Sequence, residues 1–278
     1  MRTRLTVATL AAATLLLSAC SSGSTDDSSS DAGSGDGITI GIKFDQPGLG
    51  LKEGNTYSGF DVDVARYVAD KLGYSEDQIT WMESPSSQRE TLLENGQVDM
   101  IFATYSITDE RDQKVDFAGP YFVAGQDLLV AVDNTDITGP DTLGGKLLCS
   151  VTGSTSATRI KDNYAEDVQL QEFDGYSECV EALAAGSIDA VTTDDIILAG
   201  FAAQPAFAGS LKVVGNPFSE ENYGVGIPTG SELCQPIQDA LTEMFDDGTW
   251  QELLDKNVGD ADYTPNADLN PPTLRECA

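Results

Sequence analysis

Gly96–Phe122 reads GQVDMIFATYSITDERDQKVDFAGPYF. Val98, Met100, Ile101 and Phe102 form a short, mostly apolar run, the pattern of a buried strand. Small polar residues follow at once: Ala103, Thr104, Tyr105 and Ser106. Thr108 then stands where a helix N-cap belongs, with Asp109 and Glu110 in the first turn. Arg111 falls near the third helical position, where a cation opposes the helix dipole at a cost of a few tenths to ~1 kcal/mol. Taken alone, Arg111 reads as a surface arginine paired with Glu110 or Asp112. A guanidinium beside free helix N–H groups is also a trap for a carboxylate, and the rest of the chain favours that second reading.

Upstream, Ile38–Ile42 alternates with period 2 as a strand does, and Lys43 stands just after it. In Gly59–Gly73, Phe60, Val64, Tyr67, Val68 and Leu72 share one helical face, and Gly73 fits a C-terminal cap. Ile79–Met82 reads as a second strand. Ser87 and Glu90 have the spacing of a capping box, which would open a helix through Leu92 and Leu93 with Arg89 in its first turn. Strand and helix alternate at βαβ spacing, so the fold class is α/β with a parallel or mixed sheet. Ligands in such sheets sit beyond the carboxyl ends of the strands. Lys43, the Thr104–Ser106 loop and Arg111 all follow strand ends.

Downstream the plan recurs. Leu93-x-x-Gly96-x-x-Asp99 is matched by Leu183-x-x-Gly186-x-x-Asp189, which suggests two lobes built alike. In the second copy the strand leads to Thr192, Thr193, Asp194 and Asp195. Asp194 is either a simple helix cap or a carboxylate that holds an ammonium group. The run Val151-Thr152-Gly153-Ser154-Thr155-Ser156 is a hydroxyl-rich turn into a helix, another N-terminus suited to an anion. It lacks the Gly-Lys-Thr ending of a phosphate loop. Leu233–Leu254 reads as helical with a break near Gly248.

The N-terminus is a targeting segment. Arg2 and Arg4 precede the apolar stretch Leu5–Leu17, and Leu17-Ser18-Ala19-Cys20 resembles the lipobox of bacterial lipoproteins, in which the cysteine carries the lipid. Residues 21–37 are rich in Ser, Gly and Asp and read as a flexible tether. The protein is therefore expected outside the cell membrane, held to its outer face by lipid on Cys20 alone.

Composition excludes much. A formal charge of -31 argues against nucleic acid and anionic lipid surfaces as partners. The chain has 15 Lys and Arg, so each cation in a motif is informative. It has no His, which removes Ser-His-Asp and Cys-His catalysis and His-ligated zinc. No metal or other cofactor is expected. Besides Cys20, Cys149, Cys179, Cys234 and Cys277 remain, an even set suggesting two disulfides in an exported protein. Three pairings are possible; Cys149–Cys179 and Cys234–Cys277 are favoured, one inside a lobe and one stapling the tail.

These stretches resemble the polar amino-acid-binding proteins of bacterial ABC importers. The resemblance rests on Gly59–Val64, Val98-Asp99, Ser106–Arg111, Val115–Phe117, Pro120–Phe122 and Tyr223–Ile227, and it spans residues 38–257. It is nearest to the glutamate-binding lipoproteins of actinobacteria. It implies a two-lobed type II periplasmic-binding-protein fold with mixed sheets and two hinge crossings. Lobe 1 would be residues 38–121 with a return at 223–261, lobe 2 residues 122–222, and 262–278 an extended tail. It implies a monomeric carrier of L-glutamate, or next L-aspartate, that delivers its ligand to permease subunits. By resemblance Arg111, Thr104 and Ser106 take the α-carboxylate, Gly153, Ser154, Thr155 and Ser156 complete that site, and Asp194 takes the ammonium. Lys43, Ser86 and Arg89 would face the side chain. The resemblance departs at Val151, where the family often has Lys. The competing class is an enzyme on the same fold, a dehydratase or cell-wall lyase domain, which would need a positioned acid or base.

Overall fold

The computed structural model describes residues 37–164 and 168–277; the signal segment, Cys20 and all of the tether but Gly37 lie outside them. In chain order the strands are β1 (Ile38–Ile42), β2 (Asp45–Gln46), β3 (Gly50–Glu53), β4 (Thr56–Ser58), β5 (Ile79–Glu83), β6 (Met100–Phe102) and β7 (Asp116–Ala124). They continue with β8 (Gln126–Ala131), β9 (Leu147–Val151), β10 (Gln169–Phe173), β11 (Ala190–Asp194), β12 (Leu211–Val213) and β13 (Glu221–Ile227). The helices are α1 (Phe60–Lys71), α2 (Arg89–Glu94), α3 (Thr155–Tyr164), α4 (Tyr176–Ala184), α5 (Asp195–Ala202), α6 (Cys234–Asp246) and α7 (Thr249–Val258).

Two five-stranded sheets share one order of assembly. One runs β5-β1-β6-β13-β7 and the other β10-β9-β11-β8-β12. In each, the first three strands are parallel, as βαβ connections require, and the antiparallel fourth joins the crossing chain. We call the bodies around these sheets lobe 1 and lobe 2. The short β2-β3-β4 meander belongs to lobe 1.

Two adjacent segments join the lobes. Only Gly125 separates β7 from β8, and β13 returns alongside β7 from Glu221 opposite Ala124 to Ile227 opposite Asp116. The boundary drawn at residues 121/122 thus falls inside a strand that runs unbroken to Ala124. Aromatic side chains pack behind this crossing. Phe122 stacks on Trp250 with ring centres 6.1 Å apart, Phe60 meets both edge-on, and the Trp250 indole N–H donates to the Tyr121 carbonyl at 2.8 Å. The apolar face read in α1 is buried: Phe60, Val64 and Val68 have no exposed surface. The break near Gly248 is a left-handed residue between α6 and α7.

Two expected local structures differ. Residues 109–114 form hydrogen-bonded turns and not a helix. The Thr108 cap is real, since its hydroxyl accepts the Arg111 N–H at 3.2 Å. The chain must enter β7 at Asp116 and bury Val115, so one turn is all that forms. The capping box at Ser87 is absent: α2 starts at Arg89 after Gln88, whose N–H is taken by the Pro85 carbonyl at 2.9 Å. That turn shifts the helix start and leaves Ser87 outside the cap position.

The favoured cysteine pairs are both formed. Cys149 and Cys179 join β9 to α4 with Cα atoms 5.6 Å apart. Cys234 and Cys277 join α6 to the tail with Cα atoms 5.9 Å apart. No helix among the described residues is long and apolar enough to cross a membrane.

Candidate ligand-binding site

The carboxyl ends of β1, β6, β9 and β11 bring their loops to one cleft between the lobes. Lobe 1 contributes Ser86, Arg89 and Thr104, and lobe 2 contributes Ser154, Thr155, Ser156, Tyr176, Thr193, Asp194 and Ile197, around a small, narrow cavity. Lobe-to-lobe contacts close it. The Ser106 and Thr155 hydroxyls lie 3.4 Å apart, the Tyr223 hydroxyl of the crossing strand donates to Asp194 Oδ2 at 2.6 Å, and Asp45 accepts the Ser177 N–H at 3.2 Å.

Arg89 enters from the first turn of α2 and is 2% exposed. Its Nη1 donates to the Ala103 carbonyl at 2.9 Å, and its guanidinium lies 4.1 Å from the centre of the Tyr105 ring. Its Nε has no protein partner. Burial, and then the neighbouring Arg111, push Arg89 down to about 10. Lys43 does not line the cavity; its ammonium donates to Ser86 Oγ at 2.7 Å and reaches the cavity only through that hydroxyl. Burial, with Arg89 next, pushes Lys43 down to about 7. Three cations thus share a site in which their charges repel and their hydration is lost.

Arg111 stands at the outer rim. Its Nη1 donates to the Ser106 carbonyl at 2.7 Å and its Nη2 to the Gly153 carbonyl at 3.1 Å. Its Nε meets Glu90 at 3.2 Å. Neither Glu110 nor Asp112, the surface partners considered for it, is its ion-pair partner; they pair with Lys114 and Arg275. A guanidinium has five N–H groups, so one on each terminal nitrogen is left over. Thr104 holds its backbone at φ 46°, an uncommon conformation outside glycine, fixed by donation of its N–H to the buried Asp61 at 2.9 Å.

Across the cleft, Ser154 caps α3 by accepting the Ala157 N–H at 2.9 Å. Thr155 and Ser156 open α3 and line the cavity, and the N–H groups of a helix's first turn have no intrahelical acceptors. Gly153 has φ 79°, and a Cβ there would lie 2.7 Å from the Ser87 Cα of the other lobe. Asp194 is 3% exposed, and its Oδ1 has no protein partner. Burial, reinforced by the Glu221 carboxylate, raises Asp194 well above the usual carboxylate range.

The cavity therefore gathers seven of the sequence-derived residues; Lys43 and Ser106 touch its lining through Ser86 and Thr155, Gly153 precedes Ser154 in the chain, and Arg111 lies one step farther out, bonded to Ser106 and Gly153. Sequence reasoning missed Tyr176, Thr193, Tyr105, Glu90 and Tyr223. Thr193 and Glu90 adjoin residues that were singled out. Tyr176, Tyr105 and Tyr223 act through contacts across 29 or more positions or between elements, which spacing does not encode.

Comparison with known proteins agrees with this architecture. The glutamate-binding protein GluB of Corynebacterium efficiens is 47% identical over 274 residues, 94% of this chain and 92% of that relative. The ABC transporter glutamine-binding protein GlnH of Bacillus subtilis is 36% identical over 88% of this chain and 92% of its own. The GluR0 ligand-binding core from Nostoc punctiforme, solved with L-glutamate, superposes with a TM-score of 0.70 at 30% identity, over 79% of this chain and 98% of that one. Residues 38–260 match the bacterial extracellular solute-binding proteins, family 3, and the chain belongs to that family.

Proposed function

We propose that this protein captures L-glutamate outside the cell membrane and hands it to an ABC importer, with no chemistry on the ligand. One observation carries the proposal: a closed cleft sets buried Arg89, with a free Nε, against buried Asp194, with a free Oδ1. Buried charged atoms without partners are costly, and a ligand bearing both a carboxylate and an ammonium would satisfy the two at once. GluB, named for glutamate, supports the reading.

In this assignment the α-carboxylate lies between the two spare Arg111 N–H groups, Ser106 and the N-terminus of α3, where a helix N-terminus favours an anion. Asp194 takes the α-ammonium. The side-chain carboxylate meets Arg89, with Lys43 and Ser86 behind it. Each ion pair at ~4 Å is worth ~4 kcal/mol before desolvation at an effective dielectric of ~20. A neutral side chain would leave Arg89 and Lys43 unmatched, a penalty of ~1–3 kcal/mol, or a roughly 10- to 100-fold preference for glutamate over glutamine. Aspartate has the same charges on a shorter stem and ranks second. The carrier works as a monomer with two lobes that close on the ligand, tethered by lipid on Cys20.

Calorimetric titration of the purified protein with glutamate, aspartate, glutamine and arginine tests this. Glutamate should bind tightest, with glutamine at least ten-fold weaker; a preference for glutamine or arginine rejects it.

A further inference from the structure

We propose that the tail segment Asp262–Cys277 is a strap that positions the Arg111 turn and so tunes ligand affinity, although none of its residues lines the cavity. The inference rests on reading Arg111 as the partner of the ligand carboxylate. Arg275 forks onto Asp112, with Nη1 to Oδ2 and Nη2 to Oδ1 both at 2.8 Å, and Asp112 is the neighbour of Arg111. The turn carrying both belongs to no helix or strand. Its internal backbone bonds are three: Asp112 N–H to the Thr108 carbonyl at 2.9 Å, and the Lys114 and Val115 N–H groups to the Arg111 carbonyl at 2.8 and 3.0 Å. The Thr108 hydroxyl, which accepts the Arg111 N–H, and the Thr229 hydroxyl, which donates to the Lys114 carbonyl at 3.1 Å, also hold it, and Arg275 adds an ionic grip through the Asp112 side chain.

Arg275 is itself fixed. Its N–H donates to the Gly119 carbonyl at 2.9 Å, its carbonyl accepts from Gln238 Nε2 at 2.5 Å, and Cys277, two residues on, is bonded to Cys234. Its guanidinium lies 5.8 Å from the Phe117 ring centre. An exposed ion pair contributes little because two long side chains must be ordered to make it. Here the arginine is already ordered by its backbone bonds and the disulfide, so the fork acts at high effective concentration.

The strap also reaches the crossing and the second lobe. Asn270 binds both the N–H and the carbonyl of Val123, each at 2.9 Å, as a strand neighbour would. The Tyr263 hydroxyl donates to Asp195 at 3.2 Å, next to Asp194. One segment thus touches the neighbours of both residues assigned to the ligand's α-groups.

Hydrogen exchange of the ligand-free protein, paired with glutamate titration, tests the strap on the wild type, Arg275→Ala and Asp112→Ala. Each variant should speed exchange of the Asp112 and Val115 amides about ten-fold and weaken glutamate about five-fold. The double variant should lose no more than either single one. Reduction-proof release of the tail in Cys234→Ser/Cys277→Ser should do the same, with Arg275→Lys recovering part of the affinity. Wild-type exchange and wild-type affinity in Arg275→Ala and Asp112→Ala would overturn the proposal. If the wild type itself does not bind glutamate, the ligand reading fails, and the exchange rates alone decide the strap.

Discussion

The sheets of lobe 1 and lobe 2 enter their third strand through the same turn. Gly96, at φ 63°, donates to the Leu93 carbonyl at 3.0 Å, and Asp99 exchanges bonds with Thr39, N–H to carbonyl at 2.8 Å and Oδ2 from N–H at 2.7 Å. Gly186, at φ 71°, donates to the Leu183 carbonyl at 2.9 Å, and Asp189 exchanges the same bonds with Leu147 at 2.8 and 2.7 Å. Beyond that turn the copies diverge. Lobe 1 places Lys43, Arg89 and Arg111 at the cleft, whereas lobe 2 places hydroxyls, a helix N-terminus and Asp194. On the proposed assignment, a repeated scaffold with segregated charge makes two half-sites, neither of which can match a zwitterion alone.

The largest effect should come from removing the cation that bridges the halves. Arg111→Ala deletes the bonds to Ser106, Gly153 and Glu90 together with the N–H groups assigned to the ligand carboxylate. Loss of at least 100-fold in affinity for every amino acid bound, measured by calorimetry, is expected. A smaller loss would mean lobe 2 holds the carboxylate without it.

Gly153→Ala tests the close approach. Alanine strains the left-handed backbone by ~1–2 kcal/mol and puts its Cβ 2.7 Å from Ser87 Cα. Affinity should fall about ten-fold, and small-angle scattering should no longer show contraction on adding ligand. Contraction at wild-type amplitude would show that the lobes can meet elsewhere.

Lys43 sharpens the asymmetry through pH. Its folded value near 7 is below its ordinary 10.5, through burial first and then Arg89, with Arg111 adding to the lowering and Asp45 and Glu83 opposing it. Between those values the unfolded chain binds more protons than the folded one, so this group makes stability rise with pH across that window. Its cost to the fold is fully present below pH 7. A ligand carboxylate nearby would restore the charge. At pH 8 the wild type should therefore take up nearly one proton more per glutamate than Lys43→Met, read from binding heats in buffers of different ionisation enthalpy. Equal uptake would place Lys43 outside the electrostatic site.

Much of this was legible because it is local. Period-2 and helical patterns mark β1 and α1, and the repeated Leu-x-x-Gly-x-x-Asp marks the turn whose hydrogen bonds match in both lobes. The N-cap signal at Thr108 was also real, but its residues continue into β7 after a single turn, a competition that only the sheet reveals. Glu90 was readable as a helix residue and not as the partner of Arg111, because that pair depends on where α2 and the 108–115 turn are packed. Tyr105 follows the apolar run of β6, and nothing in its neighbours announces that its ring lies under two guanidinium groups.

The central claim is that cations from one lobe neutralise a second carboxylate on the ligand, and Arg89 is where it is most exposed to test. Calorimetry of Arg89→Ala with glutamate and with glutamine should show glutamate weakened at least ten-fold more than glutamine, so that the preference between them largely vanishes. Equal losses for the two ligands would contradict the account.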